Sequence, residues 1–344
     1  MFRRTTMVLL LMVCATVGLT AGQGMSQEAI IIDHNCTELS KIPTEWIETA
    51  KAEFRLSYGH TSHGSQLVTG MNLIKNPPGS LYWWDHDGTL GGLSMWDYYP
   101  SGDLGNPDYY TWEVRTRAML ETPGNDRNCV LWSWCGQADT TPENMQIYLD
   151  LMSGLIADYQ NVTFIYMTGH LNGTGEDGNL NQRNNQIRDH VLATGGILFD
   201  FADIESYDPD GNYFLDLNAE DDCDYWVDGV RHNWADEWCA AHPDSELCAD
   251  CSCAHSRPLN CNLKGRAFWW MLARIVGWTG IYYGDMNCDS EVDSYDIDGF
   301  ICAMSPLCDY ESLYPNCERI RADCNRDGAV NAYDIDHFIA MLGE

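Results

Sequence analysis

The sequence predicts an α/β fold followed by a small all-α region, and three observations predict it. Four short apolar runs, at 54–58, 130–134, 162–168 and 196–201, are bounded by Gly, Asp or Asn, as strands buried on both faces are. Helical stretches lie between them, and strands that alternate with helices argue for a layered α/β sandwich around a largely parallel sheet. Near the C-terminus one pattern of oxygen-bearing residues occurs twice, and each copy leads into one short amphipathic helix.

The elements follow in chain order. After the 54–58 run comes a polar loop, then a helix from near Leu67. The clearest helix opens at Thr140 or Thr141, with Pro142 and Glu143 as start signals. It runs to about Tyr159 with Ile147, Leu151, Leu155 and Ile156 on one face. A second spans about 181–194 and stops at Gly195 and Gly196. A third covers about 263–276 and stops at Gly277.

In such sheets ligands bind beyond the carboxyl ends of the strands, so the loops there carry the candidate chemistry. They contain His60, Thr61, Ser62, His63, Ser65 and Gln66, then Cys135, Gly136 and Gln137, then Gly169, His170, Leu171 and Asn172, then Asp200 and Asp203. His255 stands in a loop before the last helix. Acyl transfer needs this inventory: a nucleophile, a base, a group that orients the base, and donors for the oxyanion.

The order and spacing of these blocks resemble the SGNH (GDSL-type) hydrolases, in a branch whose first block reads His-x-Ser-x-Gly. The resemblance covers about 50–278. It implies a three-layer flavodoxin-like sandwich and esterase activity, often the removal of acetyl groups from polysaccharides. It also implies that Ser62 is the nucleophile, that the Ser62 backbone, Gly136 and Asn172 serve the oxyanion, and that His255 is the base. His170 lies in the third block. The family's Gly-Asp-Ser reads His60-Thr61-Ser62 here, and Ser252 stands where the family has the Asp before its His. The acid is therefore open among Asp250, Asp203 and Asp200, or absent from a Ser-His dyad.

Other readings of the same residues stand beside this one. Ser62 or Ser65 suits the cap of the following helix. His60, His63, His170 and His255 could hold a metal. Asp85, Asp87, Asp139, Asp200 and Asp203 could supply the carboxylate pair of a glycosidase. The aromatic stretches 81–84 and 96–110 lie in predicted loops and could stack on sugar rings, with or without catalysis. Asp208, Asp210 and Asn212 read as a turn.

The repeated pattern is Asp285, Asn287, Asp289, Glu291, Asp293, Asp296 and then Asp323, Asn325, Asp327, Ala329, Asn331, Asp334. Hard cations take about six to eight oxygens, and a loop supplying side chains at positions 1, 3, 5, 9 and 12 with a carbonyl at 7 is a calcium loop. One helix per loop and Asp at position 12 resemble a dockerin module over 284–344. The resemblance implies two bound Ca2+ ions and docking onto a cohesin-bearing scaffold or surface protein, read by Ser294, Tyr295, Ala332 and Tyr333. Position 6 is Gly328 in the second loop but Ser290 in the first, so the first loop is expected to bind calcium more weakly.

The ends, charge and cysteines bear on location. Arg3 and Arg4 before an apolar run from Met7 to about Leu19 read as a signal peptide, residues 1–22, ahead of the hydrolase-like region at 25–283. The run is too short to span a bilayer. A net charge of -32 excludes nucleic acid as a partner, since phosphates need Lys and Arg. Of 15 cysteines one lies in the leader, nine fall between Cys36 and Cys261, and five between Cys288 and Cys324. Neither odd set can pair fully, so either one bridge joins the regions or each keeps a free thiol. Cys248, Cys251, Cys253, His255 and Cys261 have zinc-like spacing, but disulfides are the expected use in an exported chain. The whole reads as an exported carbohydrate esterase acting on polysaccharide and tethered by its C-terminal module.

Overall fold

The computed structural model describes residues 28–289, 292–315 and 317–342. The predicted leader and the loop residues Ser290 and Glu291 lie outside them. The elements run β1 (Ile30–Ile32), α1 (Thr44–Glu53), β2 (Arg55–Gly59), α2 (Ser65–Ile74), β3 (Trp84–Asp85), β4 (Leu93–Asp97), α3 (Thr111–Leu120) and β5 (Cys129–Trp132). They continue α4 (Pro142–Asp158), β6 (Thr163–Met167), α5 (Asn179–Thr194), β7 (Ile197–Phe199), α6 (Phe201–Ile204), a hairpin β8 (Asp224–Val227) and β9 (Val230–Asn233), α7 (Trp234–Ala241) and α8 (Pro258–Ile275).

Seven strands form one parallel sheet in the order β1-β7-β6-β5-β2-β4-β3. Alternate residues of each strand feed two cores. Leu131 joins the core under α1, α2 and α8, while Val130 and Trp132 join the one under α3, α4 and α5. Burial on both faces is why the central strands read as unbroken apolar runs. Renumbered among themselves, the five inner strands run 2-1-3-4-5, so the chain reverses its progress across the sheet between β2 and β5. The crevice beyond the ends of those two strands is the topological switch point.

All four strands expected from the sequence are present, within two residues at each end. Three more, β1, β3 and β4, join the sheet. Thr141 caps α4 by accepting from the Asn144 amide at 3.3 Å. Of the face expected on α4, Leu155 is buried and Leu151 packs against the core, while Ile156 is exposed; Met145, Tyr148, Leu149 and Met152 complete the buried face. Helix α8 starts five residues earlier than expected, because Pro258 occupies its first turn, where no N–H is needed. Every α8 residue from 259 to 273 is buried. It crosses α2 backbone to backbone: a Cβ on Gly265 would lie 2.3 Å from the Gly70 carbonyl carbon, and one on Gly70 would lie 1.8 Å from the Cys261 oxygen.

The C-terminal region repeats its own geometry in α9 (Ile297–Met304) and α11 (Ile335–Met341), with α10 (Tyr310–Leu313) between them. Each repeat opens with a capping box, Asp293 with Asp296 and Asn331 with Asp334. Cys288 and Arg326, at matching places, both take left-handed φ. Phe300 and Phe338 stack at 3.9 Å with planes 5° apart. The region meets the α/β part where Arg326 reaches Glu45 at 3.2 Å.

Four disulfides form, Cys239–Cys248 and Cys253–Cys261 in the α/β part, Cys288–Cys317 and Cys302–Cys308 in the repeat. Each region keeps free thiols, and among the described residues no bridge joins the two. Cys248, Cys253 and Cys261 are thus consumed as bridges, as expected, not as zinc ligands. Four bridges fit an oxidising compartment. Among the described residues no helix is long and apolar enough to cross a membrane.

Candidate active site

The switch point is built by loops that have almost no slack. A Cβ on Gly59 would lie 2.4 Å from the Trp132 ring, and one on Gly64 would lie 2.1 Å from Ser133 Oγ, so the 60–64 loop is pressed against the end of β5. Thr61 donates its hydroxyl to the buried Asp103 carboxylate. His60 is buried, with ring nitrogens 2.8 Å from the Thr61 carbonyl and 2.6 Å from the Asp97 carboxylate. The loop thereby presents Ser62, half-buried, and His63, buried, beyond the sheet.

His63 is held at both ring nitrogens. Nε2 lies 2.8 Å from Asp221 Oδ2 and Nδ1 lies 3.1 Å from Cys135 Sγ. Its ring stacks on His170 at 3.8 Å, planes 3° apart, and on His255 at 4.4 Å, planes 12° apart. Burial opposes a charge on His63, but Asp221 and Cys135 outweigh it and push its pKa up to about 9. The His63 contact draws the Cys135 thiol below its ordinary value despite partial burial. Burial, with the His63 charge beside it, holds His170 low. Burial would raise Asp221, and its bond to His63 brings it below the usual carboxylate range instead.

A buried ion pair braces this arrangement from below. Lys264 Nζ lies 2.5 Å from Glu205 Oε1, both side chains fully enclosed, and also donates to Gln66. Glu205 accepts from the Leu171 amide at 2.7 Å, and Gln66 donates to the Ala254 carbonyl at 2.7 Å. One network thus pins the loops that carry His170 and His255.

The other residues singled out from the sequence are distributed as follows. Ser62 does not cap α2; the cap position is Gly64, and Ser62 Oγ lies 3.8 Å from Cys135 Sγ. His255 reaches the cluster on a left-handed backbone with φ 57°, an uncommon conformation for a residue with a side chain. Gly136 follows Cys135 at an open position. Asn172 gives its amide to Asp139 at 3.2 Å, while its carbonyl accepts from Thr174. Asp203 holds His34 at 2.5 Å, Asp200 clamps Arg188 at 2.6 Å, and Asp250 is exposed. The carboxylate at the cluster is Asp221, on which the sequence carried no local signal. Asp85 and Asp87 sit in one exposed turn and Asp139 is spent on Asn172 and Asn179. Asp208 closes the expected turn by accepting from the Asp210 and Asn212 amides.

Ligand atoms of His63, Asp221 and His255 lie within 4.8 Å of one another. A metal needs imidazole lone pairs, which lie in the ring planes, to converge on one point about 2.0–2.1 Å away. The ring planes of His63, His170 and His255 are nearly parallel, so as placed they do not converge. His60 is turned away toward Asp97.

At the side-chain positions of the pattern that are described, the two C-terminal loops carry oxygen-bearing side chains. In the second, Asp323 accepts from the Asp327 and Gly328 amides, Asn325 donates to Asp327 at 3.1 Å, and Asp334 accepts from the Asn325 and Asn331 amides. Gly328 has φ 87°, the turn that position 6 requires. In the first, Asp296 accepts from the Met286, Asn287 and Asp293 amides. This hard donor set, wound on a tight turn, fits calcium.

Compared with known proteins, the chain matches no family model, no curated protein and no solved structure.

Proposed function

We propose that the protein is an exported hydrolase that removes acyl groups from a polysaccharide, with Cys135 as nucleophile, His63 as acid and base, and Asp221 as the group that orients His63. The observation that supports it is the continuous chain from Asp221 Oδ2 through His63 to Cys135 Sγ at the switch point of the sheet. The strand order is that of flavodoxin-like sheets, the architecture implied by the resemblance to SGNH hydrolases.

The chemistry balances without any other group. The Cys135 thiolate attacks the ester carbonyl carbon, a C–S bond forms, and the carbonyl electron pair moves to oxygen beside the Gly136 amide. Collapse breaks the C–O bond, and the sugar alkoxide leaves with the His63 proton. Water then attacks the thioester, gives its proton to His63, and releases the acid and the thiolate.

The second reading keeps Ser62 as nucleophile. It is favoured by the place of Ser62 on the tight loop after β2, with its hydroxyl beside the same sulfur. Acetate and reducing-end release from native acetylated polysaccharides separates the readings. Loss in Cys135→Ala with Ser62→Ala active supports the thiol. Loss in Ser62→Ala alone moves the nucleophile to Ser62, and reducing ends without acetate overturn the esterase.

The C-terminal repeat is, in this proposal, a dockerin whose two loops hold Ca2+ and whose partner is a cohesin. Chelation should then abolish its helical circular dichroism signal, because ion binding and folding are linked there. An unchanged signal would remove the proposal.

A further inference from the structure

Beside the candidate active site, β4 ends in a cleft of about 330 Å3 lined by His86, Trp96, Asp97, Tyr98 and Tyr99. That is within the roughly 300–1,000 Å3 of ordinary small-ligand sites. Its walls are aromatic and open to solvent: Tyr98 is 50% and Tyr99 45% exposed. Apolar rings of this size are normally buried, and here the backbone holds them out. Tyr98 takes a left-handed φ of 59°, costly for an aromatic residue. Tyr99 is anchored at its main chain, its amide 3.1 Å from the Tyr58 carbonyl and its carbonyl 2.5 Å from Ser57 Oγ.

The interior face of the cleft is rigid. Trp96 lies between the Arg127 guanidinium, 4.3 Å from its ring, and the His86 ring at 5.6 Å, and Tyr99 meets it edge-on at 5.2 Å. The polar group in the cleft is the Asp97 carboxylate, whose Oδ1 is tied to His60. Tyr98 in turn covers the His60 ring at 4.0 Å. The cleft and the loop that carries Ser62 and His63 therefore share one joint, His60, two residues from Ser62 and three from His63.

We infer that this cleft is a saccharide subsite, which takes one neutral pyranose ring of the polysaccharide whose ester is cleaved next door. This rests on the hydrolase reading for its role, though not for the binding itself. The chemistry selects the ligand. A pyranose has an apolar C–H face to lie on Tyr98 or Tyr99 and hydroxyls to donate to Asp97. With carboxylates at Asp87 and Asp97, an anionic uronate is disfavoured.

The test is a tryptophan-fluorescence titration of the full-length Cys135→Ala chain, which binds without turnover, with cellobiose, xylobiose, mannobiose and digalacturonate. Saturable binding of a neutral disaccharide is expected, weaker by about tenfold in Tyr99→Ala and in Tyr98→Asn, and weaker still for digalacturonate. Asn tolerates the left-handed backbone, so Tyr98→Asn removes the ring without disturbing the turn. Thermal unfolding unchanged from the parent confirms that only the rings were lost. Failure of every neutral sugar to bind, binding indifferent to both variants, or preference for the uronate would overturn the subsite. Binding in this variant, together with no acetate release from acetylated polysaccharide by the unsubstituted chain, would overturn the acyl-hydrolase reading instead.

Discussion

Two of the imidazole–carboxylate pairs at the ends of the sheet are instructive side by side, His63 with Asp221 at the β2/β5 switch point and His34 with Asp203 at the β1 edge. Both rings carry a raised pKa, in each case because the carboxylate outweighs burial. Each also has a cysteine nearby, and there the two diverge. Cys135 contacts the imidazole and is drawn down, whereas Cys36 is buried against Asp33 and is pushed up to about 12. His34 moreover stacks on Tyr207 at 3.5 Å, not on further imidazoles. A His–Asp pair thus recurs in one fold; what sets the His63 pair apart is a thiol on the far side of the ring and two further imidazoles beside it, the arrangement the proposed nucleophile rests on.

The largest effect should come from breaking the chain at its sulfur. Cys135→Ala is expected to lower initial rates of acetate release by about 10^4-fold or more, while Cys36→Ala stays within about threefold. Equal rates in the two variants would erase the distinction.

Next in size is the brace under the cluster. Lys264→Met strips the enclosed Glu205 of its ion-pair partner, and should cost about 3–5 kcal/mol in denaturant unfolding. The paired change Lys264→Met with Glu205→Gln should recover part of that. A smaller effect belongs to Asp221→Asn. The wild-type pH–rate profile should rise through the lowered Cys135 pKa and fall through about 9, where His63 loses its proton. In the variant both limbs should move toward the ordinary values, His63 down and Cys135 up. A raised His63 pKa stabilises the fold fully below its unfolded value of about 6.5, and that gain is lost as pH climbs through about 9. The wild-type thermal midpoint should therefore drop across this window more than that of Asp221→Asn.

The smallest effect sharpens the comparison from its other side. Iodoacetamide should label Cys135 in the native protein well below pH 9 and leave Cys36 unlabelled, as mass spectrometry of digests would show.

Legibility in the sequence followed burial and locality. The runs that became β2, β5, β6 and β7 stood out because both their faces are covered. β1 and β3, three and two residues long, carry too little pattern, and β4 was hidden among the Gly, Pro and Tyr around it. On α4 the aliphatic residues drew attention away from Met145, Tyr148 and Met152, which pack beside Leu149 and Leu155. Each loop with Ser62, Cys135, His170 or His255 was legible because it follows a strand or precedes the last helix. Asp221 was not: it lies in an acidic run and meets His63 from 158 residues away. Nor could any local feature say that His63, rather than His255, would be the ring held at both ends.

The bridge between Cys253 and Cys261 has a practical side. It spans eight residues, and His255 lies inside the loop it closes. A reductant added to keep Cys135 free for work attacks the clasp around its neighbour, whereas air protects the clasp and exposes the thiol to oxidation. If Cys135 is the nucleophile proposed above, its thiol and this bridge ask for opposite conditions, and acetate release should peak at an intermediate ratio of reduced to oxidised glutathione rather than at either extreme.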